Sequence, residues 1–423
     1  VDEELEMEST TFAHDLLERF LRYVAVDTMS DPHVEGRRPT TAGQMDLVRM
    51  VEREFKEFGF KDIFLDPNGY LIARLPSNMP QGRQCAVIGF MAHVDTADDI
   101  MGNGVKPRVV ANYDGKDIPL NAEYSLKVTD NPELARYVGK TIVVTDGTTL
   151  LGADDKAGLA IMMAVARKLA SDDSIVHGEV EFIVTTDEET GAGMDVFPIG
   201  KIRSTCCYTL DGGPYGEVEA ECFNAATVYA DFSGVPFHLG LARGKMVNSV
   251  TMAASFISAI PQSESPEATD GRYGYYCAQE IHGTAEKTRV VLYLRDFDLK
   301  RLNERIAALE RLGAAIEALF PTGKVEVSSK HVYYNMYEAI KKQPQVMAAV
   351  VESARKLGIP LVERIIRGGT DGARLAELGV PAPNLFTGGH NYHSRYEWAA
   401  LDAMVDAARL VEHIILHWAG ATC

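Results

Sequence analysis

Asp146-Gly-Thr-Thr-Leu-Leu-Gly-Ala-Asp154-Asp155-Lys156-Ala-Gly158 lies between a short apolar run, residues 141–144, and a helix-forming stretch, residues 156–169. Strand, glycine-punctuated loop and helix follow one another here, and two adjacent carboxylates open the helix. Such a pair can cap a helix N-terminus or hold a cation, and this stretch alone does not decide between the two. The same grammar recurs along the chain. Residues 85–91 run into Ala92-His93-Val94-Asp95-Thr96, and residues 180–185 end at Asp187-Glu188-Glu189-Thr190-Gly191. Residues 208–210 end at Asp211-Gly212-Gly213, and residues 384–386 lead through Gly388-Gly389 to His390-Asn391-Tyr392-His393. Short runs rich in Val, Ile and Phe, interleaved with helices, predict an α/β sheet covered on both faces. Open α/β sheets bind ligands beyond the carboxyl ends of their strands. Five strand ends carrying His, Asp, paired Glu, Asp and His therefore converge on one expected site.

Two histidines with three or four carboxylates form the donor set expected for two zinc-like ions that share a bridging carboxylate. A negative bridge offsets the repulsion between two nearby cations, and a water between them acidifies toward neutrality. The Glu188-Glu189 pair can supply both a metal ligand and a free carboxylate acting as general base. Asp95, two residues after His93, can accept the imidazole's second N–H and orient the ring. Taken singly, each element is commonplace: a loop acid, a turn, a cap or a core histidine. Their order and their shared position after strands give them weight.

Outward from these loops, Phe12, Leu16, Leu17, Phe20, Leu21 and Val24 recur at helical spacing. So do Leu47, Val48, Val51, Phe55 and Phe58, and Gly59 is expected just past that helix's end. Between residues 224 and 332 the rhythm changes. A strand (226–232), a helix (247–260), two strands (273–281 and 288–295), a long helix striped by Leu299, Leu302, Ile306, Leu309, Leu312, Ile316 and Leu319, and a last strand (325–332) follow in order. That order, βαββαβ, is the ferredoxin-like arrangement. Residues 224–332 are thus predicted to form a domain inserted between two pieces of the α/β domain, 1–223 and 333–423.

With 423 residues, the chain is long enough for more than one core. Its 42 basic and 60 acidic residues give a net charge of −18, which would repel a nucleic-acid backbone. The ten-residue apolar run 157–166 is too short to span a bilayer, and the acidic opening Val1-Asp2-Glu3-Glu4 is unlike a secretory leader. None of the six cysteines (85, 206, 207, 222, 277 and 423) forms a Cys-x-x-Cys pair, and most sit in apolar runs. Reduced core thiols and a cytoplasmic location are expected, with neither nucleic acid nor membrane as a partner.

Four strings carry a family resemblance over nearly the whole chain: 146–158 (DGTTLLGADDKAG), 186–193 (TDEETGAG), 367–373 (RGGTDGA) and 383–389 (PNLFTGG). Through them the sequence resembles the di-zinc metallopeptidase family of aminoacylases, glutamate carboxypeptidase, succinyl-diaminopimelate desuccinylase and tripeptide aminopeptidases. The resemblance implies a mixed-sheet zinc-peptidase catalytic domain with a ferredoxin-like lid and dimerisation insert. It implies two Zn2+ per subunit, replaceable by Co2+ or Mn2+. One would be held by His93, Asp154 and Asp211, the other by Asp154, Glu189 and His393, with Asp154 bridging, Glu188 as general base and Asp95 as orienting partner. His393 fills the family's Tyr-His position, whereas His390 stands where an aromatic residue is expected. His238 matches a histidine that reaches across a dimer to the substrate, although Leu239 replaces the proline expected after it. Asn248, Arg295 and Arg367 complete the implied substrate-binding set, since an Arg fork can grip a peptide's C-terminal carboxylate. Asp187 is a candidate for the substrate's amine.

Within that resemblance the "RGGTDGA" string favours removal of the N-terminal residue from tripeptides, and the resemblance implies a homodimer formed through the inserted domain. The same centre would also serve an N-acyl amino acid deacylase or a carboxypeptidase. A metal-dependent peptide-binding protein without turnover is the reading from another class, and a general base such as Glu188 would be superfluous in it.

Overall fold

The computed structural model describes residues 2–420, so Cys423 lies outside the described residues. Two compact units divide the chain. One comprises Val1–Ala220, Ala339–Arg364 and Thr370–Cys423; the other comprises Glu221–Glu338 and Ile365–Gly369. The expected insert, 224–332, falls inside the second unit, which begins three residues earlier, ends six later and also takes in the 365–369 segment. Arg367 lies in that segment, and its guanidinium donates to Thr269, Gly271 and Tyr273 of the same unit.

The first unit is built on an eight-stranded mixed sheet. Its order is Asp62–Leu65, Leu71–Leu75, Val180–Thr185, Ile88–His93, Cys206–Gly212, Asn384–Phe386, Glu217–Cys222 and Val362–Ile366. The four strands from Val180–Thr185 to Asn384–Phe386 run parallel, so their carboxyl ends open on one edge. Alternate residues feed two cores. Phe90, Phe182, Tyr208 and Cys206 face the helices Asp2–Val24, Ala42–Glu57, Ala153–Ser171 and Leu401–Gly420, while Met91, Ile183 and Cys207 pack with Tyr70, Phe197 and Leu375 on the other side. Each such fully buried apolar side chain contributes about 1.5–3 kcal/mol. Cys206 and Cys207 thus point to opposite faces as successive strand residues must, and none of the five described cysteines is in a disulfide.

The apolar run 157–166 is buried almost completely within Ala153–Ser171, as a central helix of a layered domain requires. Gly158 lets that helix lie against the strand Cys206–Gly212, since a Cβ there would sit 1.7 Å from the Leu210 carbonyl oxygen. Gly158→Ala is therefore expected to cost about 1–3 kcal/mol by overpacking, read as a lower urea midpoint with an unchanged slope.

One expectation is corrected. Residues 141–144 do not end a strand of the main sheet. Ile142–Val144 belongs to a separate four-stranded sheet, paired antiparallel with Arg108–Val110 and Trp398–Ala400, the latter of which also pairs with Gly389–His390. An apolar run reports burial but not its pairing partners, and here one of the two is a C-terminal strand more than 250 residues away.

In the second unit the order is Asn224–Ser233, helix Ser249–Ser258, Tyr275–Gly283, Lys287–Asp296, helix Leu299–Leu319 and Lys324–Tyr333, which is βαββαβ as predicted. Its antiparallel sheet runs Tyr275–Gly283, Lys287–Asp296, Asn224–Ser233, Lys324–Tyr333. Leu302, Ile306, Leu309 and Ile316 of the long helix pack on Val228, Ala230, Leu292 and Leu294.

Candidate metal centre

His93 ends the strand Ile88–His93, and its neighbours in register are Thr185 on one side and the strand Cys206–Gly212 on the other. The chain leaving Thr185 therefore reaches Asp187, Glu188 and Glu189 beside His93, and Asp211 arrives from the opposite side. Asp154 comes from the start of the helix Ala153–Ser171, where residues 154 and 155 have non-helical backbone angles. His393 follows the strand Gly389–His390 with a positive φ of 59°.

The two imidazoles address one carboxylate. His93 Nε2 lies 3.1 Å from Asp154 Oδ1, and His393 Nε2 lies 3.5 Å from Asp154 Oδ2. His93 Nε2 is also 3.7 Å from Asp211 Oδ1, and His393 Nε2 is 3.0 Å from Glu189 Oε2. Two triads result, His93–Asp154–Asp211 and Asp154–Glu189–His393, each with ligand-type atoms within 4.8 Å of one another and with Asp154 common to both. The donor set fits a pair of divalent cations, because its negative charge is only partly compensated by the protein. Glu189 Oε1 and Asp155 Oδ1 are buried without a hydrogen-bond partner. Burial, reinforced by Asp154, pushes both Asp211 and Glu189 up to about 7. Hydrogen bonds to Asp154 and Glu189 push His393 up to about 11. Burial works against a charged His93, yet the carboxylates of Asp154, Asp211 and Asp95 lift it well above the ordinary histidine range. Burial likewise works against the Asp154 anion, but hydrogen bonds from His393 and His93 hold it below the usual carboxylate range.

Glu188 and Glu189 stand on a single turn, Glu188–Thr190. Asp95, fully buried, accepts the backbone N–H of Glu188 at Oδ1 (3.0 Å) and that of Glu189 at Oδ2 (3.1 Å). His93 Nδ1 lies 3.1 Å from the Asp95 carbonyl oxygen and 3.4 Å from its carboxylate. Asp95 thus fixes the two glutamates as well as the ring. Burial holds Glu188 well above the ordinary carboxylate range; Asp211, Asp371 and Glu189 add to the effect and His93 opposes it.

Asp187 is corrected as an amine-binding candidate. Its carboxylate is buried and taken up by the Thr40 N–H, the Thr40 hydroxyl and Gln44 Nε2. His390 turns away from the carboxylates. It stacks flat on Trp398, ring centroids 3.8 Å apart, with Tyr137 edge-on, and burial pushes it down to about 3. A neutral histidine there does the packing work of an aromatic residue. Sequence reading missed Asp99, whose Oδ2 lies 2.9 Å from His393 Nδ1. The loop after Ile88–His93 thereby sets a carboxylate or carbonyl group against Nδ1 of both histidines.

The other predicted residues belong to the second unit. His238 is exposed, and so is Leu239 after it. Asn248 caps the helix Ser249–Ser258 by accepting the Val250 N–H (2.9 Å). Arg295 lies over the Tyr293 and Tyr333 rings (5.6 and 5.5 Å) and donates to the Leu294 carbonyl. Arg367 spends its fork on the loop acceptors Thr269, Gly271 and Tyr273 and lies over Phe223.

A mixed α/β sheet whose central strands run parallel, with two candidate metal-donor triads sharing a carboxylate and Glu188 on the neighbouring turn, fits the class of metallohydrolases. Residues 144–417 match the family model described as Peptidase family M20/M25/M40, and the chain belongs to that family. It is 42% identical over 403 residues to a Peptidase T of Geobacillus thermodenitrificans, covering 95% of this chain and 97% of that one. The crystal structure of aminopeptidase PepT from Bacillus cereus superposes with a TM-score of 0.75 at 25% identity, covering 96% and 99% of the two chains. That of a tripeptidase from Staphylococcus aureus gives 0.76 at 22%, with 97% and 99% covered, a likeness of fold.

Proposed function

We propose that the chain is a dinuclear zinc aminopeptidase that removes the N-terminal residue from tripeptides. The observation that carries this reading is the pair of imidazoles aimed at the two oxygens of Asp154, with Glu188 beside them. The similarity to Peptidase T and to aminopeptidase PepT supplies the substrate class. His93, Asp154 and Asp211 would hold one cation and Asp154, Glu189 and His393 the other; cobalt or manganese suits the same donors. When bound, such cations acidify water and polarise a peptide carbonyl. Glu188 takes the proton from the attacking water and returns it to the leaving amine. Asp95 holds Glu188 and Glu189 through their backbone N–H groups. Arg295 receives the substrate's C-terminal carboxylate, and Arg367 supports that pocket by ordering the 269–273 loop.

His238 and Asn248 are assigned to the substrate's carbonyl, with His238 donated across a homodimer formed through the inserted unit. A fully active monomer in sedimentation measurements would exclude that arrangement. A cytoplasmic location agrees with the five described cysteines standing outside disulfides, and none of the described helices is long and apolar enough to cross a membrane.

The direct test incubates zinc-loaded protein with a tripeptide of three different residues and identifies the products by mass spectrometry. A free N-terminal residue and the remaining dipeptide, both lost on chelation, are expected. Release of the C-terminal residue, or cleavage of N-acylated amino acids alone, would replace the aminopeptidase with a carboxypeptidase or deacylase. Binding without cleavage would leave a peptide-binding protein.

Asp99→Asn is expected to weaken metal binding about tenfold, at the low end for a group that orients a metal-binding histidine, because Asp99 is more than half exposed. Chelator competition measures this, and unchanged affinity would remove Asp99 from the site.

A further inference from the structure

Glu397 is one of the most enclosed carboxylates in the first unit, at 1% exposure. It carries no metal-type contact, yet each of its oxygens is engaged. Oε2 accepts the N–H groups of Leu151 (2.7 Å) and Gly152 (2.8 Å), and Oε1 accepts that of Asp154 (3.1 Å). Among the described residues no side-chain cation neutralises it at hydrogen-bond distance; three converging backbone dipoles hold it instead. Those donors belong to the loop that presents Asp154, where the backbone is not yet helical and its N–H groups would otherwise be buried without acceptors. The register explains how Glu397 gets there. Trp398, the next residue, pairs with Val144, and Ala399 and Ala400 pair with Val143 and Ile142. The chain entering that strand therefore lies alongside the chain leaving Val144 toward Asp154. Glu397 is also four residues beyond His393, on the same loop, which Asn391 Nδ2 braces by donating to the Tyr396 carbonyl (3.0 Å).

We propose that Glu397 is a positioning residue that locks the Asp154 loop to the His393 loop, so that the bridging carboxylate and the second histidine keep one spacing. Asp154 and His393 are far apart in sequence, and their Oδ2–Nε2 separation of 3.5 Å is set by two irregular loops rather than by one rigid element. The three hydrogen bonds of Glu397 join those loops directly. This inference rests on the dinuclear-metal reading above, and it predicts a metal-affinity defect from a residue that is not itself a donor.

The test compares the wild type with Glu397→Gln and Glu397→Ala. Gln keeps the volume but only one accepting oxygen, so it preserves the Leu151–Gly152 arm or the Asp154 arm and not both. Zinc affinity by chelator competition is expected to fall roughly 10-fold in Gln and up to 100-fold in Ala, the range typical of groups that orient metal ligands. Turnover of a tripeptide should fall through kcat at limiting zinc and recover substantially when zinc is raised, with KM little changed. Hydrogen exchange at residues 151–154, measured without metal, reports the loop independently of activity. A Gln or Ala variant with wild-type zinc affinity but reduced thermal stability would overturn the proposal, since a merely structural residue behaves that way. If Ala does not fold, the Gln variant decides by the same criterion. Wild-type protein that takes up no divalent metal would instead sink the underlying metallopeptidase reading.

Discussion

Glu188→Gln is expected to lower kcat by about a thousandfold while both metal-binding triads keep their affinity. General acid–base catalysis contributes roughly 10²–10⁴-fold, or about 3–5 kcal/mol of barrier, and no other free carboxylate shares the turn that holds Glu188. The substitution is nearly isosteric, and the backbone N–H of residue 188 still donates to Asp95 Oδ1. Asp211, Asp371 and Glu189 all disfavour an anion at this position, so a neutral amide relieves repulsion and the fold should not suffer. KM should change little, because the group acts on the proton in flight rather than on the bound peptide. Metal content by elemental analysis, thermal midpoint and steady-state kinetics on one preparation decide the matter. Loss of a metal ion in the variant would make Glu188 a ligand. Retained turnover would pass the base to another group, and the buried Asp371 would be next to examine.

Much of this architecture was legible because the central strands are buried on both faces and read as unbroken apolar runs. Residues 180–185 and 384–386 coincide with strands in the structure, and the stripe from Leu299 to Leu319 spans the whole long helix. The strand Glu217–Cys222 escaped notice because Glu217, Glu219 and Glu221 alternate with Val218, Ala220 and Cys222, so its apolar signal is half as dense. Residues 141–144 were readable as a strand but not as a member of the smaller sheet, since pairing partners leave no trace in a local pattern. The candidate donors His93, Asp154, Glu189, Asp211 and His393 stood out because each follows a strand-like or glycine-marked stretch. Asp99 and Glu397 did not. Each is one acid in a polar loop, and its partners lie 294 and 243–246 residues away in sequence. The candidate metal ligands carry local motifs, whereas the residues hydrogen-bonded to their loops and rings are found only through the fold.

Asp154→Ala should have the broadest consequence, because this one carboxylate belongs to both triads. Removing it deprives each candidate cation of a charged donor and takes away the negative bridge that lets two cations sit close together. Tight binding of both ions should be lost, and tripeptide turnover should fall to the level of metal-stripped wild type. The clearest readout is the change in thermal midpoint on adding zinc. A ligand at a thousand times its dissociation constant stabilises the native state by about 4 kcal/mol, which moves a midpoint by several degrees in a domain of this size. The wild type should show that shift and the variant almost none. Absolute midpoints are less informative, because the substitution has opposing effects without metal. His93 and His393 lose a hydrogen-bond partner, while Asp211 and Glu189 are freed from a like charge that helps push each up to about 7. The metal-induced shift compares each protein with itself, so both effects cancel. A variant that keeps one ion tightly would show that Asp154 serves a single triad. One that keeps two would require separate sites, with the approach of both imidazoles to Asp154 reflecting hydrogen bonding alone.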